Sequence, residues 1–302
     1  MRKKNNDRIN KSDERKAVFP VAVWSVMLIW VSVFFVMYVW AFSAANKSII
    51  NFFMDSVWLP QKEFGGWQWK NWLQVFTDMK IRISSGEWVY FPRMLLNTLI
   101  YVIGYGFVSV LGPMLTSYVY TKYAKRVRWA KIAWLLTLIS IYVPISASLA
   151  ASMTLAMKLG IYDNIFLFSL ASFGGFGGNF LIYYAIWKGL SWDYAEAAFM
   201  DGAGHFTVLI KIMFPMTVTI FGVLFLTNVI ALWADYQTPM VFLPSYPTLA
   251  YGVFSFQNSV EAGASVPIKI ASLIAVATPM FVLFMIFKDK MMGSLTMGGL
   301  KG

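Results

Sequence analysis

The 302-residue chain is 59% hydrophobic and 18% aromatic but only 13% charged, far more apolar than a soluble domain, and this composition places it in a membrane. Its net charge of +11 does not point to nucleic acid, because the bases cluster beside apolar spans and form no basic face on a soluble fold. The absence of cysteine excludes a disulfide framework and a thiolate metal site, and leaves the redox compartment undetermined.

Residues 1–17 are polar and Asn-rich, with Arg2, Lys3, Lys4, Arg8, Lys11, Arg15 and Lys16 against Asp7, Asp13 and Glu14, and read as a solvated cytoplasmic arm. The next charge after Lys16 is Lys47, an interval longer than the roughly 20 residues needed to cross a bilayer. Ser43-Ala44-Ala45 has the small residues of a signal-peptide cleavage site, but the apolar core before it is too long, so residues 18–45 read as a retained first span. A loop follows over 46–93. In it Trp67, Trp69 and Trp72 beside Lys70 suit an interfacial aromatic belt, with stacking on a saccharide as the rival reading.

Five further uncharged intervals lie between Arg93 and Lys122, Lys131 and Lys158, Asp163 and Lys188, Lys211 and Asp235, and Lys269 and Lys288. They predict spans near 94–121, 132–157, 164–187, 212–234 and 268–287, within a core of residues 94–290 and ahead of a tail at 291–302. The segment Tyr236 to Val260 is also uncharged, but Pro239, Pro244, Pro247 and Gly252 would break a helix whose freed backbone groups lipid could not satisfy. It is expected to be a loop. The fold class is therefore an all-α polytopic membrane protein with six transmembrane helices and both termini on one side.

The bases choose that side. With the N-terminus inside, the cytoplasmic segments hold the bases of the arm, Lys122, Lys125, Arg126, Arg128 and Lys131 in one short link, Lys188, Lys211, and Lys288, Lys290 and Lys301. Outside remain Lys47, Lys62, Lys70, Lys80, Arg82, Arg93, Lys158 and Lys269, most of them spread thinly over one long loop. An N-in, C-in topology puts the 189–211 loop in the cytoplasm and turns Asn46 to Pro92 and Asp235 to Pro267 outward.

No Asp, Glu, Lys, Arg or His falls inside the uncharged intervals that define the six spans. An ionisable group at that depth is costly and is retained mainly for ion pathways, proton relays or charged substrates, so an ion-coupled secondary carrier is disfavoured, although carbonyls and hydroxyls alone can hold Na+. There is one histidine, His205, no metal-ligand cluster, no nucleophile with a nearby base and no phosphate-binding Gly loop ahead of Lys-Ser/Thr. A neutral polyol would instead engage amides, hydroxyls and aromatic faces. Asn179, Tyr183 and Asn228 are the candidates for a solute path, among Tyr184, Thr227, Tyr142, Ser146 and Ser148 near Pro144; interhelical hydrogen bonding is the plainer role for any one of them. Phe173-Gly-Gly-Phe-Gly-Gly178 lacks the glycine spacing of a nucleotide loop, and serves close helix approach or a bend in the fourth span. His205 is expected simply to face water.

Between the fourth and fifth spans the chain is richer in helix signals than a simple turn requires. Ser191 can cap a helix over Trp192 to Met200 whose first turn holds Asp193, with Ala195, Glu196, Ala197, Ala198 and Met200 as helix formers. Gly202 and Gly204 stop it, and from Phe206 a second helical run leads to Pro215, which needs a helix start or a kink. The result is a short helix, a Gly-hinged turn and a return helix, shaped to dock.

Glu196-Ala197-Ala198, Gly202, Ile212 and Pro215 stand at the spacing Glu-Ala-Ala, three residues, Gly, nine residues, Ile-x-Leu-Pro, with Phe214 in the Leu position. This resembles the cytoplasmic signature of permease subunits in bacterial binding-protein-dependent ABC importers. Asn97-Thr98-Leu99 resembles the Asn-Ser/Thr that opens the core of the maltose-type carbohydrate group. Trp233-Ala-Asp235-Tyr-Gln-Thr-Pro239 resembles its Trp-Asn-Asp-Phe-x-x-Pro, with Ala234 replacing the Asn, and Gly298-Gly-Leu-Lys-Gly302 resembles the tail that slips between two ATPases. The likeness covers about residues 70–302.

The resemblance implies a type I ABC importer transmembrane domain in the bacterial cytoplasmic membrane, a multi-pass, non-catalytic subunit that itself uses neither cofactor nor metal and moves a sugar or oligosaccharide. Glu196, Ala197, Ala198, Asp201, Gly202, Ala203, Ile212 and Pro215 would form the coupling loop seated on an ATPase, and Asp235, Tyr236 and Pro239 would meet an extracytoplasmic solute-binding protein. The implied partners are a second, homologous permease, two ATP-binding subunits and that binding protein, in lipid and without nucleic acid. An ABC permease for a non-sugar solute is the first alternative, and an ion-coupled carrier or membrane enzyme with a coincidental loop is the second.

Overall fold

The computed structural model describes residues 2–55, 58–124, 130–142, 149–174, 177–259 and 265–297. Helix dominates, and among the described residues four helical stretches are long and apolar enough to cross a membrane: Pro20–Ala45, Phe91–Tyr123, His205–Ala234 and Val266–Asp289. The chain forms two compact units, one of residues 1–75 with 263–275 and one of residues 76–262 with 276–302.

In the first unit, α1 (Arg2–Ala45) continues without interruption through the arm expected over 1–17. Beyond it come α2 (Ile49–Met54), a 3-10 turn at Lys62–Phe64 and the start of α3 (Lys70–Asp78). The end of α1 is closed by side chains from the loop, because its last carbonyls have no intrahelical partner. Asn71 Nδ2 donates to Ala45 O at 2.8 Å and to Lys47 O at 2.9 Å. Phe42 is ringed by Trp67, Trp69 and Trp72, and Trp72 Nε1 donates to Asn46 Oδ1. The three tryptophans thus anchor the loop to α1, with Trp67 and Trp69 stacked on each other at 5.7 Å. Lys47 is buried and donates to the Asp55 carbonyl; burial lowers its ammonium below the ordinary lysine range, opposed by the Asp55 carboxylate.

The second unit is built around α4 (Phe91–Tyr123), preceded by a hairpin of β1 (Lys80–Arg82) and β2 (Trp88–Tyr90) in antiparallel register with Ile81 opposite Val89. Then follow α5 (Ala130–Tyr142), α6 (Leu149–Lys158), α7 (Ile165–Ala171), α8 (Gly178–Gly189), α9 (Asp193–Met200), α10 (His205–Val208), α11 (Phe214–Ala234), α12 (Gln237–Phe242) and α13 (Leu249–Asn258). The last helix, α14 (Val266–Met297), runs into the expected tail. Helices α7, α8 and α11 pack on α4.

One predicted span is interrupted, and the middle of another lies outside the described residues. Residues 132–157 are shared by α5 and α6, and Pro144, Ser146 and Ser148 lie outside the described residues. Residues 164–187 divide into α7 and α8, with helix ending at Ala171 and resuming at Gly178. The break is held against α4: a Cβ on Gly112 would lie 2.8 Å from Gly174 O, and Ser172 Oγ donates to Tyr105 O at 3.2 Å. Gly174 therefore serves close approach, and Gly177, at φ +139°, lies in the interruption.

The expected loop at 236–260 holds α12 and α13. Its prolines stand at and between short helices, so they stop helix only locally. Asn97 Nδ2 donates to Pro247 O at 3.1 Å, and Leu249 N–H donates to Thr98 Oγ1 at 2.8 Å. The Asn97-Thr98 pair is buried and pins this segment to α4.

Candidate functional site

Helix α9 shows how the helical knob between α8 and α11 is made. Its assigned start is Asp193, one residue after the expected Trp192, and Ser191 Oγ accepts from Asp193 N–H at 3.2 Å. Ala195 is fully buried, and Ala198, Phe199 and Ala203 pack with it against Met114 and Tyr118 of α4, Tyr183 and Trp187 of α8, Val208, Met213 and Phe221. Alanine here lets the α9 backbone approach that core closely. Trp187 Nε1 donates to Met114 O at 3.2 Å and so locks α8 to α4 beneath the knob.

The helix ends in a Schellman turn. Ala203 N–H donates to Ala198 O at 2.9 Å and Gly202 N–H to Phe199 O at 3.0 Å, with Gly202 at φ +81°. That left-handed backbone, and no crowding within the chain, is why glycine is needed: a Cβ there would meet nothing within 4 Å. After α10, a π-helical turn at Leu209–Met213 leads into α11, and Phe214 N–H reaches Leu209 O. Proline inside an α-helix removes a hydrogen bond and clashes with the carbonyl four residues back; the wider turn lets Pro215 enter without ending the helical run.

Glu196, Ala197, Asp201, Gly202 and Pro215 are exposed, whereas Ala198, Ala203 and Ile212 are partly buried. Around the acidic face stand Tyr194, Met200 at 88% exposure and Phe206 at 74%, apolar side chains that sequence reasoning did not single out. His205 does more than face water: its Nδ1 lies 2.8 Å from Tyr123 Oη and its ring packs edge-on against Phe199 at 4.8 Å, fastening the return helix to the end of α4.

The solute-path candidates divide. A cavity of about 330 Å³ at the α7–α8 break is lined by Ser109, Pro113, Ser172, Gly174, Gly177, Gly178 and Asn179. Asn228 Nδ2 donates to Ser109 Oγ at 3.1 Å, so Asn179 and Asn228 are brought together through Ser109, a residue missed in the sequence. Tyr183 is not among them. It is fully buried in the apolar core under α9, and its hydroxyl has no partner among the described residues.

Nor do Asp235, Tyr236 and Pro239 form a projecting set. Asp235 accepts from Tyr101 Oη at 3.1 Å and from Thr238 N–H at 3.0 Å, and Pro239 is buried. Only Tyr236 is exposed, stacked on Phe254 at 4.3 Å. Trp233 Nε1 donates to Val276 O at 2.9 Å, so this motif joins α11 to its neighbours. Among the described residues no group of three or more His, Asp and Glu could hold a metal ion.

This arrangement of apolar helices and a helical knob has a counterpart among solved structures. The solved structure of a bacterial ABC transporter involved in the import of the acidic polysaccharide alginate matches it with a TM-score of 0.71, over 90% of this chain and 96% of that one, at 17% identity. No family model matches the chain. The maltodextrin transport system permease protein MdxG of Bacillus subtilis is 30% identical over 209 residues, 68% of this chain and 74% of MdxG. The corresponding MalD of Streptococcus pneumoniae is 29% identical over 210 residues, 68% of this chain and 74% of MalD. The chain belongs to the permease subunits of carbohydrate ABC importers, and is an integral membrane protein.

Proposed function

We propose that this permease passes a neutral sugar or oligosaccharide across the bacterial cytoplasmic membrane, together with a second related permease, two ATP-binding subunits and an extracytoplasmic solute-binding protein. The knob of α9 seats in a cleft of one ATP-binding subunit, which carries out the hydrolysis. Closure of the two ATPases moves paired knobs, and the packed core transmits that motion to α4, α8 and α11. The observation that supports this reading is the knob itself: Glu196, Ala197, Met200 and Phe206 are exposed, while Ala195 and Val208 are buried and fasten their backbone to the helices beneath.

Six crossings with both termini inside follow if α5 with α6, and α7 with α8, each make one crossing beside the four long helices. A break at membrane depth is tolerated where it lines a cavity, and such breaks often mark solute sites. Among the described residues the cavity beside Asn179 is lined by hydroxyl, amide and backbone groups with Pro113, and by no charge, which suits neutral hydroxyls. The matched maltodextrin permeases support that solute class. Co-purification tests the coupling assignment: detergent-solubilised permease should retain its ATPase, and Glu196→Arg should release it. Retention by the variant would remove the basis for placing Glu196 in the contact.

A further inference from the structure

A second cavity, of about 470 Å³, lies between the ends of α4 and α8 and the start of α9, lined by Tyr120, Thr121, Lys122, Ala124, Tyr184, Lys188 and Trp192. Among the described residues two ammonium groups enter this wall and no carboxylate does. Among the described residues Lys122 Nζ makes one hydrogen bond, to Leu190 O at 2.7 Å, and it lies 5.5 Å from the centre of the Trp192 ring. An ammonium carries three donors, so Lys122 keeps donor capacity. Lys188 Nζ lies 5.8 Å from the centre of the Tyr184 ring and has no acidic or hydrogen-bonded partner among the described residues.

The walls behind them are aromatic. Trp134 of α5 stacks on Tyr120 at 5.5 Å and meets Tyr184 at 4.8 Å. Lys122 occupies the last turn of an apolar helix long enough to cross the membrane, and Lys188 the last turn of α8. Tyrosine and tryptophan prefer the depth where headgroups begin, and basic pockets between membrane helices at the cytoplasmic side take anionic headgroups.

We propose that this cavity binds the phosphate of an anionic phospholipid, with Lys122 and Lys188 on the phosphate oxygens and the Tyr120–Trp134–Tyr184 cluster against the glycerol and upper acyl chain. Thr121 and Trp192 complete the pocket. Because Leu190 and Trp192 lead directly into α9, lipid occupancy bears on the knob. The choice of leaflet rests on the cytoplasmic placement of α9; the binding itself does not.

The test uses the full-length permease in nanodiscs of phosphatidylcholine containing a graded fraction of phosphatidylglycerol, with bound lipid counted by native mass spectrometry. One surface-proximal base contributes about fivefold to anionic-lipid affinity, so Lys122→Gln with Lys188→Gln should lower retention of phosphatidylglycerol by about 25-fold, and paired arginines should restore it. Inorganic phosphate and glycerol phosphate added to phosphatidylcholine discs form a separate arm. If they bind to the natural chain and not to the glutamine variant, the phosphate site stands and its source is soluble. Equal phosphatidylglycerol retention by natural and glutamine chains would overturn the proposal. No ATPase is present, so the outcome is independent of whether α9 docks on one.

Discussion

Substitutions at Gly202 separate two reasons for a glycine after α9, its backbone angle and the space beyond it. At φ +81° an L side chain is strained, and a Cβ meets nothing within 4 Å of this chain. Gly202→Ala therefore carries only the left-handed backbone cost, about 1–2 kcal/mol, which lowers the population of the closed turn by about 5–30-fold. Asparagine tolerates this region better, so Gly202→Asn should melt above Gly202→Ala in detergent. Gly202→Trp should melt near the alanine variant, yet lose both ATPase capture and sugar uptake, because its bulk falls where the partner would sit. The assay pairs thermal melting of the solubilised permease with co-purification of the ATPase from the same preparation. A tryptophan variant that captured ATPase and supported uptake at the natural level would refute the docking argument. Equal melting of all three variants and the natural chain would refute the backbone one.

Gly112→Ala should lower the melting temperature, since the new Cβ would lie 2.8 Å from the Gly174 carbonyl oxygen and backbone cannot yield as a side chain can; overpacking of this kind costs about 1–3 kcal/mol. At Trp187, which is fully buried, phenylalanine removes the hydrogen bond to Met114 O, about 0.5–1.5 kcal/mol, and part of the indole packing, and should cost less than alanine, at about 3–5 kcal/mol; denaturant titration of the purified chain reads both. Asn228→Ala takes the amide from Ser109 at the cavity, and loss of one such contact, about 1 kcal/mol, should raise the KM of uptake by about fivefold while ATPase capture is unchanged.

The parts of this fold most legible in the sequence were those whose physics is local. Long charge-free intervals such as residues 18–45 and 94–121 lie within the continuous helices α1 and α4, and Gly202 ends α9 as its freedom at positive φ requires. What depended on distant partners was hidden. The interruption between Ala171 and Gly178 needs α4 to receive it at Gly112, and an apolar count over 164–187 cannot register that. The prolines at 239, 244 and 247 suggested an unstructured loop because the hydrogen bonds that organise it, from Asn97 and to Thr98, come from about 150 residues away. Tyr183 offered a hydroxyl to a solute path, but helix phase turns it into the core with Trp187. Ser109 was passed over as one serine among many, and only the position of Asn228 opposite it gave it meaning.

The chain contains no cysteine, so a single Ala197→Cys offers one thiol at the exposed tip of α9. Its reaction with a membrane-impermeant maleimide, in intact cells and in inverted vesicles with and without the ATPase subunit, tests the central claim directly. Labelling should occur only in inverted vesicles and should be blocked when the ATPase is bound. Labelling from outside intact cells, or equal labelling of the ATPase-bound and ATPase-free protein, would contradict it.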